Sequence, residues 1–305
     1  MSYAVVFSGQ GMQHPDMLPW LANDETVHAM QQLLGIDDWR ACVKDPVWAG
    51  RNANAQVLLT GLALAAWAQL APCLPAPAPA AAAGYSVGEL AAFSAAGVFD
   101  ANTALELAHR RAALMDCAGE SNSTGLMGVS GVTESLLERL CEEFDLVVAI
   151  RNGIDSVVLG GLQVVLPLAI EAAQRQGVHA LLLNVQVASH TRWMAAAAQG
   201  FAAHIAPLAF RAAGVPLFSD AAGRVAEPPE LKHALAMQID HIVRWDECME
   251  SVAGRRVACV IEIGPGRALA RMWNGQYADT PARSVDEFRS VEAIARYVQK
   301  CMTAA

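Results

Sequence analysis

Gly84-Tyr85-Ser86-Val87-Gly88 carries the spacing G-x-S-x-G. That spacing suits a nucleophilic serine on a sharp strand-to-helix turn, because the flanking glycines leave room for the bend and expose the hydroxyl. The N–H of Val87, entering the next helix, can then stabilise an oxyanion. A plain strand–helix turn is the bland alternative. The context favours the elbow: residues 80–84 read as a short strand and 89–96 as a helix. A serine hydroxyl needs a general base, most often His. Of eight histidines, His190 stands out in Val187-Ala188-Ser189-His190-Thr191, between a strand-like run and a helix. Loops in that position present reactive side chains. His28, His109, His179, His204 and His233 read as solvated or structural.

The elements that must position these groups follow from the hydropathy pattern. Residues 3–7 (YAVVF) and 257–263 (VACVIEI) are buried strands by composition. Residues 16–50 read as helices, 54–71 as a strongly apolar helix, and 72–79 as a Pro/Ala linker. Residues 103–118 form a further helix carrying Arg110 and Arg111. A polar stretch, 119–125, precedes a strand (126–129), a helix (134–143), two strands (146–150 and 157–159), a helix (166–176) and a strand (180–187). That order is β-α-β-β-α-β, the split ferredoxin-like unit. Helices at 192–206, 232–239 and 291–302 complete the pattern. The expected class is α/β: a large α/β-hydrolase-like domain (residues 1–123 and 189–305), with a parallel-sheet core and a nucleophile elbow. A small ferredoxin-like subdomain (124–188) is inserted in it.

Composition narrows the function. The chain has 305 residues and a net charge of −9, with three Lys against 18 Arg. No basic stripe marks a nucleic-acid binder. Charged residues are 17% of the chain, below the roughly 25% usual for soluble domains, so a partner could cover part of the surface. Seven Cys without a CxxC pair suit reduced thiols, and residues 1–10 lack a basic leader; both favour a cytoplasmic protein. Residues 52–88 carry no charge, but Pro72, Pro75, Pro77 and Pro79 interrupt the run. A buried helix is expected there, not a membrane span.

A family resemblance covers nearly the whole chain. Phe7-Ser8-Gly9-Gln10-Gly11-Met12-Gln13 resembles the F-P-G-Q-G-x-Q opening of malonyl-CoA:acyl-carrier-protein transacylases. Tyr85-Ser86-Val87-Gly88-Glu89 resembles their H-S-x-G-E. Arg111-Ala112-Ala113-Leu114-Met115 is similar to R-G-x-x-M, and Ser189-His190 to the segment carrying the family's histidine. Residues 238–245 resemble Q-x-x-x-P-V-x-W, and 261–266 resemble E-x-G-P-G. The resemblance implies Ser86 as nucleophile, His190 as base, and N–H groups of Gln10 and Val87 as the oxyanion hole. It implies that Arg111, otherwise read as a surface helix charge, holds the free carboxylate of a malonyl group. It further implies that a main-chain carbonyl near Gln238 orients the histidine in place of an acid. Asn152, Tyr85 and Ser189 take secondary places near the site. Malonyl-CoA is the implied substrate and an acyl carrier protein the partner, with no metal and no bound cofactor.

Four departures stand out: Tyr85 for His, Ser8 for Pro, Ile242 for Pro and Ala112 for Gly. Tyr85, with the opening Gly-Gln-Gly-Met-Gln-His-Pro, is similar to one branch, the malonyltransferase (epsilon) subunit of bacterial malonate decarboxylase. That branch implies a carrier bearing a phosphoribosyl-dephospho-CoA thiol; the fatty-acid branch implies a phosphopantetheine thiol. The rivals are an esterase or thioesterase on the same elbow, with Asp116 or Asp155 as a third triad member, and a non-catalytic scaffold. In related polyketide acyltransferases Phe before the histidine goes with malonyl and Ser with branched malonyl groups, so Ser189 leaves methylmalonyl open.

Overall fold

β1 (Tyr3–Phe7) is buried along its whole length, as its apolar composition requires. The computed structural model describes residues 2–75, 78–120, 123–185 and 187–304. The remaining strands are β2 (Ala81–Gly84), β3 (Thr124–Ser130), β4 (Val147–Arg151), β5 (Ser156–Leu162), β6 (His179–Leu182), β7 (Leu217–Ser219), β8 (Gly223–Val225), β9 (Val243–Arg244), β10 (Cys259–Ile263) and β11 (Ala282–Ser284). β1 lies central in a six-stranded sheet of order β11-β10-β1-β2-β7-β8. Every pairing is parallel except β7 with β8. Near-continuous apolar runs are what a parallel sheet covered on both faces demands.

The helix Asn52–Leu70 is apolar on all sides, and 14 of its 19 residues are buried. It packs in the main core beside the helices Glu25–Leu34 and Ala101–Glu120. With the turn Ala71–Cys73 it is long and apolar enough to cross a membrane, yet two thirds of that stretch (67%) is buried within the fold. A core helix meets the same composition test as a membrane span, and here protein covers it.

The second sheet has the order β6-β3-β5-β4-β9. Its first four strands pair antiparallel, and the chain visits them as strand, helix, strand, strand, helix, strand. The helices Glu134–Phe144 and Leu166–Arg175 cover one face through Leu137, Leu140, Leu166 and Ala169, against Met127, Val129 and Leu159. Two features differ from the sequence reading. β9 lies outside residues 124–188, yet joins this sheet in parallel with β4. Two residues are too few to show a period, so the sequence carries no sign of it. The strand expected over 180–187 ends at Leu182. Beyond it the chain must leave the sheet edge to carry His190 toward Ser86; residue 186 lies outside the described residues. So do 76–77 of the expected linker and 121–122 of the polar stretch. β7, β8 and β11, of three residues each, were also missed for want of length.

The elbow forms where β2 meets the helix Gly88–Ala95. β2 is Ala-Ala-Ala-Gly, so helix and strand approach closely. A Cβ on Gly84 would lie 2.2 Å from the Glu89 nitrogen, and one on Gly88 2.3 Å from the Phe7 oxygen. Both contacts are with backbone, which cannot swing aside. Gly88→Ala is therefore expected to destabilise the fold by about 3 kcal/mol or more. Gly275→Ala, in open space on a helix, should be neutral or mildly stabilising. Thermal unfolding of the two variants checks this; equal midpoints would contradict it.

Candidate active site

Ser86 sits at φ 54°, in the left-handed region, at the tip of the elbow. A non-glycine residue there is strained and must be held by its surroundings. The helix start after it is closed by Gly88 N–H to Tyr85 O at 2.9 Å and Glu89 N–H to Ser86 O at 3.0 Å. Gln238 donates from Nε2 to the same Ser86 carbonyl at 2.5 Å. Asp220 Oδ2 accepts the Ser86 N–H at 2.6 Å. Both peptide groups of the bend are thus tied to other parts of the fold.

His190 meets the serine from the loop after β6. Its Nε2 lies 2.8 Å from Ser86 Oγ, and its Nδ1 lies 2.7 Å from the Gln238 main-chain oxygen. A carbonyl only accepts, so Nδ1 carries the proton and Nε2 faces the hydroxyl as acceptor. His190 also has positive φ, 64°, and its own N–H donates to Ile239 O at 2.9 Å. Burial, reinforced by the Arg111 charge, pushes its pKa down to about 3. The imidazole is therefore neutral, the state a general base needs. Among the described residues no acid bonds to His190: Asp116 accepts from Asn52 Nδ2, and Asp155 lies exposed in the β4–β5 turn.

Arg111 is buried, with 3% of its surface exposed, and is no surface charge. Its Nη1 donates to Gln56 Oε1 at 2.8 Å and its Nη2 to Gln238 Oε1 at 2.6 Å. Both partners are neutral, and among the described residues Arg111 makes no ion pair. Burial lowers its pKa to about 10, which leaves it charged at neutral pH. A guanidinium fork of this kind can bind a carboxylate bidentately. Gln56 is itself held by Asn52, so a line of amides fixes the guanidinium plane.

The N–H groups of Gln10 and Val87 donate to no group among the described residues. Tyr85 donates its hydroxyl to Asn152 Oδ1 at 3.0 Å, tying the elbow to the β4–β5 turn. Its ring meets Trp245 edge-on at 5.4 Å and lies over Gly9, where a Cβ would come within 2.7 Å. Burial raises the phenol well above its usual value, so it stays a donor. A cleft of about 420 Å³ runs between the loop after β1 and the second sheet; Gln10, Tyr85 and Asn152 line it. Ser86, His190 and Arg111 do not line it, so it stops one residue short of the serine along the chain. Ser189 is buried beside His190. Ser8, in place of Pro, donates to buried Glu262 at 2.9 Å. Glu262 also accepts from Leu269 and Ala270 N–H groups, so the Gly264-Pro265-Gly266 turn offers these two donors to no phosphate. Among the described residues, no group of three or more His, Cys, Asp or Glu could hold a metal ion.

Sequence reasoning gave no role to three residues of this network: Gln56, Glu89 and Asp220. Glu89 had two signals, its place in the serine motif and its being the single charge between Arg51 and Asp100. Gln56 and Asp220 had none.

A mostly parallel α/β sheet, a strained serine and a neutral buried imidazole define a class of enzymes that handle acyl groups. The chain belongs to the acyl transferase domain family, which matches residues 50–300, and it is an acyltransferase. It is 32% identical to the malonyl CoA-acyl carrier protein transacylase of Mycobacterium tuberculosis, over 96% of this chain and 99% of that one. It is similar to the crystal structure of FabD from Acinetobacter baumannii, with a TM-score of 0.88 at 26% identity, covering 100% and 99% of the two chains. A malonyl-transacylase solved in complex with its type II PKS acyl-carrier protein superposes with a TM-score of 0.89 at 27% identity, over 97% of this chain and 100% of that one.

The depressed His190 value has two consequences. Acyl-enzyme formation should show no acid limb near pH 6.5, the ordinary imidazole value. The unfolded chain binds that proton more readily, so stability falls as pH drops through 6.5 toward about 3. A pH profile of kcat/KM checks the first; a limb near 6.5 contradicts it.

Proposed function

We propose that the protein moves a malonyl group from malonyl-CoA to the prosthetic-group thiol of an acyl carrier protein through an acyl-Ser86 intermediate. The observation that carries this reading is Arg111: a buried charge with only neutral partners, joined through Gln238 to the serine and the histidine. In this reading His190 Nε2 takes the Ser86 proton as Oγ attacks the thioester carbonyl. The oxyanion forms against the N–H groups of Val87 and Gln10. CoA leaves as the thiol, carrying the proton back from His190. The carrier thiol then attacks the acyl-serine, with His190 again as base. Arg111 binds the distal carboxylate bidentately and so separates malonyl from acetyl. The cleft lined by Gln10 and Asn152 takes the thiol-bearing arm. The names of the relatives support the substrate and the carrier.

The descriptions of the large unit as hydrolase-like and of the small unit as ferredoxin-like belong to the same reading; the strand orders support them. We place the units at 1–123 with 189–305, and 124–188, with β9 as the large unit's contribution to the second sheet. The malonate decarboxylase branch rests on Tyr85, whose hydroxyl bonds to Asn152, and on the opening Gly-Gln-Gly-Met-Gln-His-Pro. The relatives, named for transfer to an acyl carrier protein, fit the fatty-acid branch at least as well. A hydrolase with an acid-backed histidine is disfavoured, because the Gln238 carbonyl occupies Nδ1.

Transfer rates from malonyl-CoA and acetyl-CoA to a phosphopantetheine carrier test the reading. Wild type should prefer malonyl, and Arg111→Ala should reduce that preference about 100-fold, the cost of losing one partner of a buried charge pair. An unchanged preference in a folded Arg111→Ala would contradict the assignment. Free malonate in place of acyl-carrier would make the protein a hydrolase.

A further inference from the structure

Two buried acids behind the elbow have no part in the chemistry above. Glu89 lies in the first turn of the helix Gly88–Ala95, and Asp220 follows β7; neither is more than 1% exposed. The two are joined, since the Asp220 N–H donates to Glu89 Oε1 at 2.7 Å. Asp220 Oδ2 in turn accepts the Ser86 N–H. Because Ser86 has positive φ, its N–H follows neither the strand ladder nor the helix, and a buried donor left unpaired there would be costly. Asp220 supplies the acceptor.

The other two oxygens pose the question. Asp220 Oδ1 and Glu89 Oε2 are buried, and neither receives a hydrogen bond from any conventional donor among the described residues. The Asp220 N–H holds the two acids side by side, so both orphan oxygens belong to one dry pair. Two ionised carboxylates have only acceptors to offer, so a bond between them requires a proton.

We propose that Glu89 and Asp220 share one proton, and that this singly protonated pair is the positioning device that holds the Ser86 backbone in its nucleophilic conformation. The proposal rests on Ser86 being the nucleophile. With one proton the pair carries a single negative charge, which offsets Arg111 without touching it. Arg111 therefore stays open to a substrate carboxylate while its charge is balanced. Without the proton, two negative charges would face each other in a dry site. They would repel, and Asp220 would turn away from the Ser86 N–H. Among the described residues, the buried groups facing the pair are Arg111, the Ser219 hydroxyl, the Cys248 thiol and the Tyr85 phenol. Of these only Arg111 is charged at neutral pH; the exposed Arg244 and Glu247, which line a small cavity with Asp220, neutralise each other as an ion pair. Burial is the leading cause that raises both acids, Glu89 to about 7 and Asp220 well above the carboxylate range. The folded state thus holds the proton more tightly than the unfolded chain. The stability it contributes is full below the ordinary carboxylate value and is lost as pH rises through the folded value.

Two readouts on the full chain test this. The first is infrared difference spectroscopy at pH 7 between wild type and each of Asp220→Asn and Glu89→Gln. Glu262, a third buried acid, is common to all three proteins and cancels. Wild type should show a protonated-carboxyl carbonyl band that both variants lack, because an amide replaces the shared proton and leaves one carboxylate. The second is the pH profile of malonyl transfer. Asp220→Ala should lower kcat about 100-fold with KM little changed, the cost of a misplaced nucleophile. Asp220→Asn should restore most of that loss, because its amide accepts from Ser86 and donates to Glu89. It should also remove an alkaline decline seen in wild type. A missing band at pH 7, a band that survives in both variants, or an Asp220→Asn no better than Asp220→Ala would overturn the proposal. If wild type forms no acyl-serine, the functional reading fails, while the infrared result still decides whether the pair shares a proton.

Discussion

The structure depends on holding one serine in a backbone conformation that serine does not favour. Ser86 at φ 54° is strained, and three parts of the fold share the work of keeping it there. Gly84 and Gly88 remove the side chains that would collide with backbone at 2.2–2.3 Å. Gln238 grips the carbonyl, and Asp220 grips the N–H. Each grip comes from a distant stretch of chain, so the elbow forms only when the elements around the six-stranded sheet are assembled. Strain of this kind persists where the surroundings over-determine it.

Gln238 joins the parts of the site. Its main-chain oxygen sets the His190 tautomer, its side-chain oxygen turns Arg111, and its side-chain nitrogen holds the elbow. A neutral residue in this place has an electrostatic consequence. An aspartate against His190 would stabilise imidazolium and would sit close to Arg111, competing with a substrate carboxylate. The amide orients both groups and adds no charge. The negative charge that the buried guanidinium needs comes from Glu89 and Asp220, which do not contact it.

Much of this was legible in the sequence, for physical reasons. The elbow announces itself because only glycine tolerates its two close approaches. The apolar strands β1 and β10 show because a parallel core excludes polar groups. Ser86 shows by motif spacing and His190 by its loop, Arg111 and Gln238 only by family resemblance, and the fold brings all four together. What escaped was set by tertiary contact. Gln56 looks like any polar residue on a helix until Arg111 arrives from another. Asp220 sits in an ordinary turn until the elbow N–H meets it. β9 is two residues long, and its pairing is decided by β4, about 90 residues earlier in the chain.

The proposed transfer requires Ser86 to carry the malonyl group. The most direct measurement mixes the protein briefly with malonyl-CoA, quenches it in acid, digests it and locates any malonyl group by tandem mass spectrometry. The group is expected on the Ser86 hydroxyl and nowhere else. A malonyl group on a cysteine thiol, or continued CoA release with no labelled serine, would contradict it.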